Sequence, residues 1–295
     1  MKYAVIGAAG QLGRDLCPLL QGEVVKLGRP MADLLKPDAL DELLTSLNPG
    51  VVINCAAYNF VDKAESEPDA AFAVNCWGVR RLARTCAKLD CTLVHFSTDY
   101  VFGAQRGHNS AYRHSDLPGP ISVYGLSKLA GEYAVQAECE KHLIIRTCGL
   151  YGIWGSGGKG TNFVETMLKL AERGVPIKVV NDQRCTPSYT FDVAETTAAL
   201  IDNAKVGLYH VTNAGSTTWF EFAQAIFQLS GIAANVIPIS SAEYAAPARR
   251  PNFSVLDNSL LSTAAGLAMP RPWQRALEGY LDQRKKKDQS GREAG

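Results

Sequence analysis

The chain opens with a short apolar run, Tyr3-Ala4-Val5-Ile6, that ends directly in glycines at positions 7, 10 and 13. Leu12, Leu16, Leu19 and Leu20 then follow at helical spacing. Strand, tight turn, helix is the opening of a dinucleotide-binding βαβ unit. Gly7 permits the turn, Gly10 lets the backbone approach a pyrophosphate, and Gly13 lets helix and strand pack closely. The helix N-terminus offers N–H groups and partial positive charge to phosphates. The spacing GxxGxxG differs from the GxGxxG of ordinary dehydrogenases. Its weight comes from its place at residue 7 and its strand-to-helix context.

Further short β-branched runs at 24–27, 51–54, 93–97 and 143–146 alternate with helical patterns at 37–47, 68–89 and 123–138. This alternation predicts an α/β fold, a doubly wound parallel sheet of Rossmann-like type covered on both faces. Ligands on such sheets bind beyond the carboxyl ends of the strands. The first, third and fourth runs end in Gly7, in Asn54-Cys55-Ala56-Ala57 and in Ser97-Thr98-Asp99, which therefore converge on one edge. After Gly149 the alternation weakens. Residues 152–160, glycine-rich around Trp154, read as a mobile loop over the site. Helices at 162–172, 192–201 and 218–229 and strands at 177–180 and 207–211 are expected beyond it. The predicted division is a dinucleotide-binding domain over 1–152 with returning segments near 186–214. A smaller C-terminal substrate lobe takes 153–185 and 215–282, and a polar tail, 283–295, is expected to be disordered.

Tyr124 and Lys128 stand four apart in Tyr124-Gly125-Leu126-Ser127-Lys128, so on a helix their polar ends share one face. A nearby ammonium favours the phenolate and fits the tyrosine to proton delivery at neutral pH. Thr98 adds a hydroxyl able to polarise a carbonyl. With a hydride donor beside them, these groups make a ketone-reducing site. The second strand ends in Gly28-Arg29 with no carboxylate to repel a ribose 2′-phosphate, so NADPH is expected to serve at least as well as NADH. The formal charge of +1 gives no electrostatic case for nucleic acid or an anionic membrane. No apolar run reaches the ~18 residues of a membrane span. Eight cysteines without metal-ligand spacing read as buried free thiols in a reducing, cytoplasmic compartment.

With these residues in hand, the chain resembles the extended short-chain dehydrogenase/reductase superfamily and, within it, the dTDP-4-dehydrorhamnose reductase family. The resemblance runs from residue 1 to about 282. It rests on the GQLG ending at Gly10-Gln11-Leu12-Gly13, on residues 54–58 with 61–65, on Val74-Asn75, and on Ser97 to Phe102 and Val123 to Glu132. Asn162-Phe163-Val164, Asp182-Gln183, Trp219, Phe222-Ala223 and the string Arg249-Arg250-Pro251 with Ser254-Val255-Leu256-Asp257 resemble its substrate lobe. The resemblance implies NAD(P)H-dependent reduction of the 4-keto group of dTDP-4-dehydrorhamnose, with Tyr124 as acid, Lys128 lowering its pKa and holding the nicotinamide ribose, and Thr98 on the carbonyl. It implies cofactor contacts from Gly7, Gly10, Gln11, Leu12, Gly13, Arg29, Asp33, Ala56, Ala57, Tyr58 and Ser97 besides Tyr124 and Lys128. Asp99, Tyr100, Trp154 and Arg250 join Thr98 on the substrate, Arg250 as partner of the diphosphate and Arg249 as a plain surface arginine.

The chain departs from the family pattern after Phe102, where Gly103-Ala104 and Ala111-Tyr112-Arg113-His114 replace Asp-Gly and a Pro-Tyr-x-Glu run. That departure keeps open the reduction of another nucleotide-diphosphate 4-keto-6-deoxyhexose. A non-catalytic NADP-binding subunit of methionine adenosyltransferase is a further alternative, against which intact Thr98, Tyr124 and Lys128 argue. Some family members form homodimers around a divalent metal. Asp15 occupies a helix position suited to such an acid, but one carboxylate is not a metal site, and none is assigned.

Overall fold

The structure is a computed structural model that describes residues 1–105, 107–155, 160–203 and 206–293. Strands β1 (Lys2–Ile6), β2 (Glu23–Leu27), β3 (Val51–Asn54), β4 (Thr92–Thr98) and β5 (His142–Thr147) join the strand Gly207–His210 in one six-stranded sheet. The spatial order is Gly207–His210, β5, β4, β3, β1, β2, and every pairing is parallel. Side chains alternate between the two faces. Tyr3 and Val5 pack with Leu12, Leu16, Val193 and Leu200 under the helices Gln11–Leu16 and Thr190–Asn203. Ala4 and Ile6 pack with Leu40, Leu44, Leu82 and Val135 under the helices Pro37–Leu47, Val79–Lys88 and Val123–Glu138. Both faces are therefore covered, and the order reverses between β1 and β3, which places the ligand crevice at their carboxyl ends.

A separate hydrophobic cluster gathers Tyr151, Val164, Met167, Phe222, Ile226, Trp273, Leu277 and Tyr280. The strands Ile177–Val180 and Val236–Ile239 pair beside it in parallel. The helix Trp219–Ser230 starts with a reciprocal cap between Thr218 and Glu221. The helix Trp273–Glu293 occupies much of the tail expected to be disordered from residue 283. It is a continuation of a helix already anchored by Trp273, Leu277, Tyr280 and Leu281, and propagation adds turns far more readily than nucleation does. Arg284 adds an ion pair to Glu165 at 2.6 Å. Residues 294–295, and 156–159 of the expected mobile loop, lie outside the described residues.

The single helix expected over 68–89 is three consecutive pieces: Pro68–Phe72, a π-helical stretch Ala73–Gly78, and Val79–Lys88. Such insertions cluster at functional sites. Here the insertion carries buried Asn75, whose Oδ1 accepts from Tyr58 N at 2.9 Å and whose Nδ2 donates to Tyr58 O at 3.0 Å and Ser127 Oγ at 3.0 Å. The chain leaving β3 is thereby fastened to the helix that carries Tyr124.

That helix, Val123–Glu138, lies so close to the end of β4 that a Cβ on Gly125 would overlap the Tyr100 carbonyl. Gly125→Ala is expected to lower stability by about 1–3 kcal/mol, since overpacking against backbone outweighs the ~1 kcal/mol that alanine adds to a helix. Urea unfolding measures the effect. Gly28→Ala, with no heavy atom within 4 Å of its Cβ, is the control. Equal midpoints for the two variants would show that the contact is not close.

Candidate active site

Three strand ends build the site. Gly7, at φ +77°, follows β1, and its N–H donates to Leu27 O at 2.8 Å; a Cβ there would stand 2.9 Å from Ala56 N. Only glycine allows the turn at that approach. Gly10 caps the helix Gln11–Leu16, with Leu12 and Gly13 buried against the sheet. Gln11 Nε2 donates to Leu150 O at 3.3 Å, while its buried Oε1 has no hydrogen-bond partner among the described residues. After β3, Asn54 Oδ1 accepts from Ala56 N at 3.1 Å, Ala57 is exposed, and the Tyr58 hydroxyl donates to Glu67 at 3.0 Å. The small-residue turn fits the pyrophosphate of a dinucleotide, and the orphaned Gln11 oxygen, an acceptor, suits a hydroxyl donor of the same ligand rather than its phosphates.

Beyond β4, Thr98, Asp99 and Tyr100 meet Tyr124. The Thr98 hydroxyl hydrogen-bonds the Tyr124 phenol, and the Tyr100 and Tyr124 rings meet edge-on at 5.8 Å. Burial, reinforced by the charge of Asp99 and opposed by Thr98, pushes the Tyr124 phenol up to about 12. The sequence reading had Lys128 pulling that phenol down. Instead Lys128 Nζ donates to Phe96 O at 2.6 Å and lies 3.5 Å from His95 Nε2. Burial lowers the Lys128 ammonium to about 8, with Glu132 resisting. The same burial, with Lys128 beside it, holds His95 well below its ordinary range, so the ring is neutral. His95 Nδ1 lies 3.2 Å from Asn54 Nδ2, which links the ends of β3 and β4. Neither His95 nor Asn54 carried a side-chain role in the sequence reading; their only signal was a polar residue at the end of an apolar run. Ser97 turns its hydroxyl to Glu132, away from Thr98.

Asp99 is buried, and three groups donate to it: Ser254 Oγ at 2.6 Å, Cys148 Sγ at 3.1 Å and Thr98 Oγ1 at 3.2 Å. Desolvation outweighs these donors and raises its carboxyl to about 6. Because the folded-state pKa lies above the unfolded value, the folded chain holds the extra proton, and stability falls as pH rises through roughly pH 4 to 6. Relative to Asp99→Asn, the wild type is expected to lose on the order of 2–3 kcal/mol across that window. Denaturation curves at stepped pH test this. A pH-independent difference would remove the desolvation argument.

A cleft of about 550 Å³ opens between the loop after Phe102 and the smaller lobe, lined by His108, Gln183, Tyr244, Arg249, Arg250 and Phe253 among others. Where the chain departs from the family pattern, Phe102, Tyr112 and His108 stack at 4.0 and 3.9 Å; His108 lines this cleft, and the other two rings are buried behind it. Arg250 is in the wall, but its fork is engaged by Asp62 at 2.9 and 2.8 Å and by Ala248 O. Arg249, beside it, is exposed to the cleft. Trp154 lies away from Thr98, against the glycine turn, donating Nε1–H to Asp15 at 2.8 Å. Asp15 also accepts from Thr190, and among the described residues no cluster of three or more acids, histidines or cysteines is placed for a metal. Arg29 is exposed after β2, and Asp33 accepts from Leu35 N in the next turn. All eight cysteines are free, seven of them buried. No described helix is long and apolar enough to cross a membrane.

The chain matches the family model described as RmlD substrate binding domain over residues 1–286. It is 42% identical to a dTDP-4-dehydrorhamnose reductase of Streptomyces griseus, covering 94% of this chain and 91% of that protein. It is 37% identical to the spore coat polysaccharide biosynthesis protein SpsK of Bacillus subtilis, over 96% and 98%. Among solved structures, the dTDP-4-dehydrorhamnose reductase of Bacillus anthracis in complex with NADP superposes with a TM-score of 0.90 at 35% identity, covering 96% of this chain and 99% of that one.

Proposed function

The chain belongs to the dTDP-4-dehydrorhamnose reductase family, and on that premise we propose that it reduces the 4-keto group of dTDP-4-dehydrorhamnose to dTDP-L-rhamnose with NADPH. The observation that carries this reading is the Tyr124 phenol against the Thr98 hydroxyl at the end of β4, two strands from the Gly7 turn, with Lys128 tethered to Phe96 O in the same strand. A bound reduced nicotinamide supplies the hydride. Tyr124, protonated throughout the physiological range, gives its proton to the sugar oxygen as negative charge develops there, because an alkoxide is a stronger base than a phenolate. Thr98 donates to the same oxygen and polarises the carbonyl beforehand. Lys128, held by Phe96 O with His95 Nε2 3.5 Å away, keeps its proton below about pH 8 and is the cation that would hold the nicotinamide ribose. Asp99, braced by Ser254 from the smaller lobe, accepts from a sugar hydroxyl.

The 550 Å³ cleft receives the nucleotide, with Tyr244 and Phe253 against the base and Arg249 toward the diphosphate. Arg250 holds the lobe to residue Asp62 and shapes the wall instead. The free thiols suit a reducing, cytoplasmic setting. The test is loss of reduced-nicotinamide absorbance with the purified dTDP-4-keto sugar. Turnover at rates typical of a biosynthetic enzyme supports the reading. Cofactor binding without turnover on this sugar, but with turnover on another 4-keto-6-deoxyhexose, would assign the aromatic stack at Phe102, Tyr112 and His108 to a different sugar. Binding without turnover on any of them would favour a regulatory subunit.

A further inference from the structure

We infer that His95 is a positioning residue for Lys128: Asn54 fixes the ring as its Nε2–H tautomer, and that N–H is aimed at the lysine nitrogen as a donor. The inference deepens the reductase reading above, on which only its rate measurement rests. The chain of contacts starts at the end of β3. Asn54 is 1% exposed, and its Oδ1 accepts from Ala56 N at 3.1 Å. The backbone therefore orients the amide, with Nδ2 turned to His95, 3.2 Å from Nδ1. An amide nitrogen of this kind only donates, so Nδ1 accepts. A neutral imidazole that accepts at Nδ1 carries its proton at Nε2. Burial beside Lys128 keeps the ring neutral.

Nε2 faces the helix Val123–Glu138. It lies 3.5 Å from Lys128 Nζ and would stand 3.7 Å from a Cβ on Gly131. An ammonium has three donors and no acceptor, so it meets the Nε2–H as donor against donor. A neutral amine has a lone pair to accept from Nε2–H, and it still donates to Phe96 O at 2.6 Å. A hydrogen bond made only by the neutral form favours loss of the proton, the same direction in which burial acts. Among the described residues, the carboxylate that opposes this is Glu132, one turn along the same helix. Its charge is shared with Arg146 from β5 and Ser97 from β4. From β3 the facing group is the uncharged Asn54, and Asn75 of the π-helical stretch engages Ser127 instead. Lys128 thus sits between a carboxylate that holds its proton and a ring that favours its release.

The first experiment is the long-range ¹H–¹⁵N spectrum of the full chain with labelled imidazoles, followed over roughly pH 6 to 10. His95 is assigned among the five histidines by its through-space contact with the Asn54 amide. The expected result is a protonated Nε2, a bare Nδ1, and an Nε2 signal that moves in one step near pH 8 as Lys128 loses its proton. A proton at Nδ1, or no step, overturns the inference. The second experiment is the pH profile of kcat for His95→Gln. Glutamine can turn its oxygen to the ammonium, an acceptor where the ring offers a donor, so the alkaline limb is expected to rise by about one pH unit or more. A purely structural role would lower kcat at every pH and leave the limb in place. A limb unmoved or lowered in His95→Gln overturns the inference, and if that variant does not fold, the spectrum decides alone. The spectrum uses neither sugar nor turnover. A chain that shows this tautomer and step yet reduces no sugar would overturn the reductase reading and leave the arrangement standing.

Discussion

Tyr124→Phe is expected to lower kcat by about 10²–10⁴-fold, the range in which removal of a general acid falls, while nucleotide affinity changes little. The substitution deletes one oxygen and keeps the ring, so the edge-on contact with Tyr100 at 5.8 Å survives. Thr98 loses a hydrogen-bond partner but retains Asp99 and the N–H of Tyr100, both at 3.2 Å. The fold should therefore be unchanged, and stability unaffected within about 0.5–1.5 kcal/mol, the net worth of one hydrogen bond. The phenol pKa of about 12 sharpens the expectation, because the wild-type acid is fully charged with its proton at any pH the enzyme meets. The acidic side of its pH profile is then expected to follow Asp99, near 6, and the alkaline side Lys128, near 8. Steady-state rates with the dTDP-4-keto sugar, together with NADPH titration of both proteins, measure this. A variant that keeps turnover within about tenfold of the wild type would move the proton donor elsewhere and, with it, the mechanism.

Much of this site was legible in sequence because its parts are local. A turn that must reach φ +77° beside another strand admits little but glycine, and it does so within a few residues of β1. Tyr124 and Lys128 share a face because helical geometry leaves no alternative. What stayed hidden depends on direction and on partners far away in the chain. The Lys128 position was readable, but a lysine four residues from a tyrosine could point at the phenol or past it. The Phe96 carbonyl and the buried His95 decide that it points past. Arg250 stood in the most family-specific string, yet its fork closes on Asp62, 188 residues earlier. Trp154 belongs to a loop whose glycines say nothing of where it lands, and it lands on the glycine-turn helix. The π-helical insertion around Asn75 adds no change of composition, so periodicity reads one continuous helix there. The end of the helix Trp273–Glu293 is polar and lacks a core, and it is helical because the turns before it are packed.

Glu132→Ala is expected to be the most damaging substitution to the scaffold, at about 3–5 kcal/mol, because it strands a buried charge. Glu132 and Arg146 are 1% and 2% exposed, joined by a two-pronged pair at 2.9 and 2.6 Å. Ser97 donates a further hydrogen bond to Glu132, and Arg146 lies 5.1 Å from the Phe102 ring centroid. Without the carboxylate, that ring is left as the main compensation for the guanidinium, and a cation–π contact is worth only about 0.5–2 kcal/mol. The pair itself need not be strongly stabilising, since its attraction works against the desolvation of both ions. Glu132→Ala with Arg146→Met removes both charges and is therefore expected to recover much of the loss, a coupling that a double-mutant cycle in urea isolates. The location makes this more than a stability test. Glu132 is one helical turn beyond Lys128, while Arg146 stands opposite Ser97 in the pairing of β4 with β5, one residue before Thr98. The pair thus ties the helix that carries Tyr124 and Lys128 to the strand that carries Thr98. Glu132 also holds the Lys128 pKa up against burial, so the double variant, though refolded, should show its alkaline limb shifted below about pH 8. Loss of less than about 1 kcal/mol in Glu132→Ala, or an unmoved alkaline limb in the stable double variant, would show that scaffold and catalytic lysine are not coupled through this pair.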